Sequence, residues 1–272
     1  MTLLSLDCLT LTDSTPFDLV DAAAAAGFDC VSLWASEAAA FPRMRLRPEM
    51  ERECSARLGD TGISVHLLEV LDLTSGDAIR SYRPALEMGA RLGARAASVY
   101  NGSNPDKSHV AELLGLFIET AHEFGLETVL EPVAMGHTRT LAEAAALICQ
   151  AGGAGILFDS WHLIRSGCTV ADLAAIDPAL IRYVQLNDGL ARIAPDRMIP
   201  EAMGERLYPG DGEFPLVEML GLLPREVPWA LETPSLRRMS EGADAKVQAE
   251  EAMAALRRVI HDALGPTVAA GD

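Results

Sequence analysis

A chain of 272 residues, 49% of them hydrophobic, is long enough to bury one large α/β core and gives no sign of a second. Its net charge of −17, with lysine only at Lys107 and Lys246 against 20 arginines, excludes the positive surface that nucleic acid requires and weighs against polyphosphorylated substrates. Five scattered cysteines (Cys8, Cys30, Cys54, Cys149, Cys168) form no CxxC pair, so neither a disulfide framework nor a zinc knuckle is suggested.

The N-terminus lacks a basic segment followed by a long apolar run, and no stretch of about 18 residues is free of polar interruption. A soluble cytoplasmic protein with no membrane partner is therefore expected. In chain order, strand-like runs fall at Leu4 to Leu11, Cys30 to Ala35, Ile63 to Leu73 and Ala96 to Gly102. Four more follow in "TVLEPV", "GILFDSWH", "YVQLNDG" and "WALETPS". Between them lie helix-like stretches rich in Ala, Leu and Glu, such as "PFDLVDAAAAAG", "PEMERECSARLGDTG", "SYRPALEMGARLG", "HVAELLGLFIETAHEFG", "TLAEAAALICQAGG", "TVADLAAIDPALI" and "LVEMLGLLP". Gly27, Gly93 and Gly125 suit the residue after a helix end, where positive φ is wanted. A last helix is expected from about Gly242 to Leu264, then a frayed tail over 265–272.

Eight strands alternating with helices predict a single (β/α)8 barrel over residues 1–272, with an enlarged loop at about 188–214 rich in Pro, Gly and charge. The last four runs each carry one oxygen-bearing side chain near the strand end: Glu131, Asp159, Gln185 and Glu232. Their spacings of 28, 26 and 47 residues match one βα unit each, the last lengthened by the loop. In such a barrel the strand ends share one mouth, where active sites sit, so three carboxylates and an amide converge there as a hard-cation site.

These residues also carry a resemblance. Glu131 in "LEP", Asp159 and His162 in an Asp-x-x-His, "VQLNDG" around Gln185, "PGDGEF" over 209–214 and Glu232 in the last strand together resemble the xylose isomerase-like barrels. That superfamily includes tagatose 3-epimerase, hydroxypyruvate isomerase and inosose dehydratase. The resemblance implies that Glu131, Asp159, Gln185 and Glu232 bind one divalent cation, and that the chain forms a homodimer or homotetramer. Many members resemble the epimerases in having His where this chain has Gln185, whereas hydroxypyruvate isomerase-like members use Gln.

All-oxygen ligation suits Mn²⁺ or Mg²⁺ first, with Co²⁺ or Zn²⁺ as alternatives. A cation of this kind polarises the carbonyl of a hydroxyketone and stabilises an enediolate, while Glu131 and Glu232 divide acid and base roles. The small-molecule substrate is expected to be an unphosphorylated sugar, keto-polyol or hydroxy-keto acid. Either carboxylate can instead be a surface ion pair or helix cap, although burial after "TVL" and "WAL" makes an unpaired charge costly there. His162 is read as a group that hydrogen-bonds or protonates substrate oxygen, or else as a capping or core histidine. Arg206 is either a substrate-binding or a solvated arginine. His66, Glu69, Trp34 and Tyr100 either line the pocket or pack in the core, and Asp188 is expected to orient Gln185 from behind. The leading function is a metal-dependent isomerase or epimerase; a dehydratase or keto-glycoside lyase on the same site, and a non-catalytic binding barrel, are the alternatives.

Overall fold

The computed structural model describes residues 2–35 and 41–265. Residues 266–272 of the expected tail lie outside them. The strands are β1 (Leu4–Leu6), β2 (Cys30–Trp34), β3 (Ser64–Asp72), β4 (Ala96–Tyr100), β5 (Glu127–Glu131), β6 (Ala154–Asp159), β7 (Ile181–Leu186) and β8 (Trp229–Leu231). They close in sequence order into one parallel barrel, with Leu4, Ser5 and Leu6 of β1 paired to Trp229, Ala230 and Leu231 of β8. This is a single (β/α)8 barrel.

The outer layer comprises α1 (Pro16–Ala26), α2 (Glu51–Thr61), α3 (Gly76–Ser81), α4 (Arg83–Arg91), α5 (Lys107–His122), α6 (Leu141–Ala151), α7 (Ser160–Arg165), α8 (Val170–Ala174), α9 (Met198–Gly204), α10 (Leu216–Leu220), α11 (Leu236–Ser240) and α12 (Ala245–Leu264). Local chemistry fixes their ends. Thr15 and Thr140 each form a reciprocal capping box with the acid three residues on, Asp18 and Glu143. Gly27 closes α1 at φ 77°, and Gly93 and Gly125 have φ of 88° and 73°, as their place after a helix predicts.

Two apolar clusters hold the layers together. Leu67, Ala96, Val129, Leu157, Tyr183 and Ala230, one from each of β3 to β8, pack against one another inside the barrel. A much larger cluster, including Leu33, Val99, Leu130, Phe158, Leu114, Phe117 and Leu256, joins strands to helices.

Several expected elements are shorter or broken, among them the helix expected over 216–224, which stops at Leu220. The first strand ends at Leu6: Asp7 makes the last ladder bond, to the Leu231 carbonyl, and Cys8 turns its N–H to Ser32 Oγ, so Cys8–Leu11 winds into a 3₁₀ turn. The helix expected across 81–93 is shortened to α4, Arg83–Arg91, and a separate helix, α3, precedes it; Pro84 has no N–H for the Arg80 carbonyl, so the two do not run into one. The helix expected over 169–181 stops at Ala174; Pro178 has no N–H for the Ala174 carbonyl, and Asp177 caps a 3₁₀ turn leading into β7. The enlarged loop contains α9 and is anchored by bridges Asp188↔Leu207 and Glu205↔Ser235.

Candidate active site

Glu131 and Asp159 are the last residues of β5 and β6, Gln185 is the next to last of β7, and Glu232 follows β8 directly. All four are buried at the C-terminal end of the barrel. Register pairs Asp159 with Gln185, while Glu232 lies two residues beyond Ala230, the partner of Gln185.

Asp159 is the most fully bonded of them. Its Oδ1 accepts from the backbone of Trp161 at 2.6 Å and His162 at 3.1 Å, capping α7, and from Asn187 Nδ2 at 3.1 Å. Its Oδ2 accepts from Asn187 Nδ2 at 3.2 Å and Arg206 Nη1 at 2.8 Å. Burial alone pushes the carboxyl up, but Arg206, His162 and these hydrogen bonds outweigh it and hold Asp159 below the ordinary carboxylate range.

Arg206 Nη1 also donates to Glu232 Oε2 at 3.0 Å, so one guanidinium nitrogen links the two strand-end carboxylates. Its Nε donates to the Ala202 carbonyl at 3.2 Å, and its Cζ lies 5.1 Å from the centre of the Trp161 ring.

His162 is fixed by its own partners. The Ala134 N–H donates to Nδ1 at 3.1 Å, so the neutral ring carries its proton on Nε2, 3.4 Å from Glu131 Oε1. Burial pushes its pKa down to about 4 against the pull of Asp159. At neutral pH it is an uncharged N–H donor.

Gln185 directs Nε2 at three carboxylates: Asp7 Oδ2 at 2.9 Å, Glu232 Oε1 at 3.0 Å and Glu69 Oε2 at 3.2 Å. Its Oε1 is buried without a hydrogen-bond partner. Oxygens of Asp7, Glu69 and Glu232 lie within 4.8 Å of one another, as do ligand atoms of Glu131, Asp159 and His162. Burial first, and then repulsion by Asp7 and Glu232 at Glu69 and by Glu232 and Asp159 at Glu131, pushes both well above the ordinary range. Burial likewise raises Glu232 to about 8 despite Arg206, and Asp7 to about 6 despite hydrogen bonds from Tyr183 and Gln185.

Asp7 went unrecognised in the sequence, although "LSLD" ends in an acid after an apolar run as the other strands do. Its carboxylate accepts from Tyr183 Oη at 2.6 Å and Ser5 Oγ at 2.9 Å. Glu69 faces the same cluster, bonded by Ser32 Oγ and by Cys8 Sγ. Asn187, which braces Asp159, also went unrecognised; it accepts from Ser160 Oγ at 2.9 Å.

Above these groups opens a cavity of about 920 Å³, with Glu69, Glu131, His162, Arg206 and Glu232 at its polar end and Trp34, Leu46, Tyr100 and Met135 among its walls. Trp34, Glu69 and Tyr100 line it. His66 does not: its ring packs 5.6 Å from Tyr183, toward the N-terminal end of β3. Asp188 serves the loop rather than Gln185. Its Oδ1 accepts from Gly189 N and Phe214 N, and its Oδ2 from Gly210 N, so the carboxylate is spent on the "PGDG" turn. Gly212 lets that turn close, since a Cβ there would lie 2.3 Å from Asp188 Oδ1. Arg165 and Trp161 both bond Glu201, clamping α9 over α7.

An eight-stranded parallel barrel with an acidic, metal-competent cluster at the strand ends defines a class of enzyme-like barrels. The chain belongs to the xylose isomerase-like TIM barrel family, whose model matches residues 20–259. In structure it is similar to a xylose isomerase-like TIM barrel/4-hydroxyphenylpyruvate dioxygenase fusion protein (20% identity, TM-score 0.79), with 96% of this chain spanning 43% of that one. It is also similar to the IolI protein with a bound zinc atom (16%, 0.79, 97% of this chain and 100% of that one). D-psicose 3-epimerase from Clostridium cellulolyticum H10, solved with D-tagatose, is a third (15%, 0.74, 96% and 99%). At these identities the likeness establishes the fold. A comparison with curated proteins finds no sequence match.

The donor set fits a divalent cation. Gln185 Oε1 is a buried acceptor without a donor, and Glu131, Asp159 and Glu232 gather three carboxyl groups beside the one guanidinium of Arg206, so a cation would offset the burial and repulsion that hold Glu131 and Glu232 protonated.

Proposed function

We propose that this barrel is a divalent-metal-dependent isomerase or epimerase of a small unphosphorylated hydroxyketone, working through an enediolate. Glu131, Asp159, Gln185 and Glu232 would hold the cation, Mn²⁺ or Mg²⁺ by preference for oxygen donors, with Co²⁺ or Zn²⁺ as substitutes. The observation that carries this reading is the unpartnered buried Oε1 of Gln185 beside a surplus of carboxylates. When bound, the cation polarises the substrate carbonyl and offsets the charge that develops as the neighbouring carbon loses its proton.

The chain's own groups do the proton transfers. Arg206 bonds Glu232 directly and makes no such bond to Glu131, so Glu232 releases its proton more readily. That difference divides the pair into a base, Glu232, and an acid, Glu131. His162, neutral and donating from Nε2, orients a substrate oxygen beside Glu131 rather than supplying a full proton. The apolar walls contributed by Trp34, Leu46 and Met135 exclude water around the reacting carbon.

The test is elemental analysis of protein purified without chelator, combined with deuterium uptake from D2O into ketoses, hydroxypyruvate and inososes. One equivalent of metal with exchange at a carbon next to a carbonyl is expected. Exchange accompanied by loss of water or of a glycosidic group would move the assignment to the lyase alternative. Metal without exchange on any substrate would favour a binding barrel.

A further inference from the structure

We propose that Arg206 is a built-in competitor of the metal ion, which sets the affinity of the site and couples metal loading to the α9 segment. The inference rests on the metal reading above, and its basis is the occupancy of individual oxygens. Asp159 Oδ1 already accepts from Trp161 N, His162 N and Asn187 Nδ2, and Oδ2 accepts from Asn187 and Arg206. A carboxylate offers about four lone-pair sites, so Asp159 has none left over. Glu232 is divided in the same way, with Oε1 facing Gln185 Nε2 and Oε2 facing Arg206 Nη1.

The bonds from Trp161, His162 and Asn187 belong to the scaffold: two are backbone donors capping α7, and Asn187 is itself held by Ser160. Arg206 is the partner that can leave. It is carried on the enlarged loop, it lines the cavity, and one nitrogen serves both carboxylates. A divalent cation gains Asp159 Oδ2 and Glu232 Oε2 by displacing that nitrogen. The displaced guanidinium turns into the cavity that Arg206 lines, where its donors meet substrate oxygen.

Displacement has a structural consequence. Arg206 Nε donates to the Ala202 carbonyl, and Arg206 N donates to the Pro234 carbonyl, so the residue fastens the end of α9 to the segment after β8. Moving the side chain gives up the bond to Ala202, while the backbone bond to Pro234 stays, so the end of α9 is held less firmly. Metal loading is then read out in the loop that borders the substrate cavity.

The experiment titrates Mn²⁺ into metal-stripped wild-type protein, Arg206→Met and Arg206→Lys, and follows backbone hydrogen exchange of residues 198–206 in the wild type as Mg²⁺ is added. Arg206→Met should bind Mn²⁺ about tenfold tighter or more, the scale of one lost charge-assisted hydrogen bond. Arg206→Lys should fall between, because a point charge on a flexible stem holds the two carboxylates less well than a guanidinium. Exchange across 198–206 should quicken on Mg²⁺ binding. Equal or weaker binding by Arg206→Met overturns the inference and leaves the metal reading intact. Wild-type affinity in Arg206→Lys with tight binding in Arg206→Met also overturns it, since that pattern is a field effect of charge alone. Should Arg206→Met fail to fold, unchanged exchange in Mg²⁺-loaded wild type decides against it. Failure of every form to take up Mn²⁺ removes the metal reading and this inference together.

Discussion

Glu131 and Glu232 sit where a carboxylate is costly to ionise, and that cost is what a proton-transfer pair uses. Burial and the neighbouring carboxylates push Glu131 well up, and burial raises Glu232 to about 8 even with Arg206 bonded to it. Replacing either by glutamine keeps the shape and removes the transferable proton. Glu131→Gln and Glu232→Gln should each slow substrate deuterium exchange by about 10²–10⁴-fold, the usual weight of one acid–base group. The circular dichroism spectrum should be unchanged. Wild-type exchange rates in either variant would sink the two-carboxylate mechanism. At this scale the sequence was informative where a side chain ends a strand, because alternation and the barrel's geometry leave such a residue only one place to go. It was silent about who bonds whom: that Arg206 reaches Asp159 and Glu232 depends on how a 27-residue insertion (188–214) folds back, and Asp188 looked like a support for Gln185 until its carboxylate was found closing the turn at Gly210.

At the scale of elements, two helix glycines separate propensity from packing. Gly115 lies within α5 and a Cβ there would meet nothing within 4 Å, so Gly115→Ala should stabilise the protein by about 0.5–1 kcal/mol through backbone entropy alone. Gly89 lies within α4, where a Cβ would fall 2.1 Å from Leu68 Cδ1 on the buried strand β3. Gly89→Ala should therefore destabilise despite the same gain in propensity, by about 1–3 kcal/mol from overpacking. Urea denaturation of both variants checks the pair; a shared sign would mean that helix α4 does not seat on β3 as found. Strands β2 to β7 and most helices were readable because a buried parallel strand is a short apolar run and the helices between carry caps and closing glycines. The misread boundaries fall where one residue overrides a pattern: Pro84 and Pro178 remove N–H groups from otherwise helical stretches, and Cys8 leaves the barrel for Ser32 Oγ.

The whole molecule gathers acidity twice, over a surface that brings the net charge to −17 and inside the barrel mouth, and the inner set is the one the proposed metal would engage. The signs of the pKa shifts define how. Glu232, raised from 4.5 to about 8, and Asp7, raised from 3.8 to about 6, hold protons in the folded state that the unfolded chain has released, so stability falls as pH rises through those windows. His162 and His66, both lowered from 6.5 to about 4, refuse protons that the unfolded chain binds, so their contribution is lost as pH falls from about 6.5 to about 4. Above pH 6.5 the histidines no longer oppose the carboxylates. Metal-free protein should accordingly show a melting temperature that declines from pH 6.5 to 8.5, and Glu232→Gln should flatten the decline. Mg²⁺ engages the ionised carboxylates, so it should raise the melting temperature more at pH 8 than at pH 6. Thermal melts of both proteins with and without Mg²⁺ across that range provide the check. A metal-free profile that stays level, or a Mg²⁺ shift no larger at pH 8 than at pH 6, would mean that the strand-end carboxylates do not titrate against a common cation.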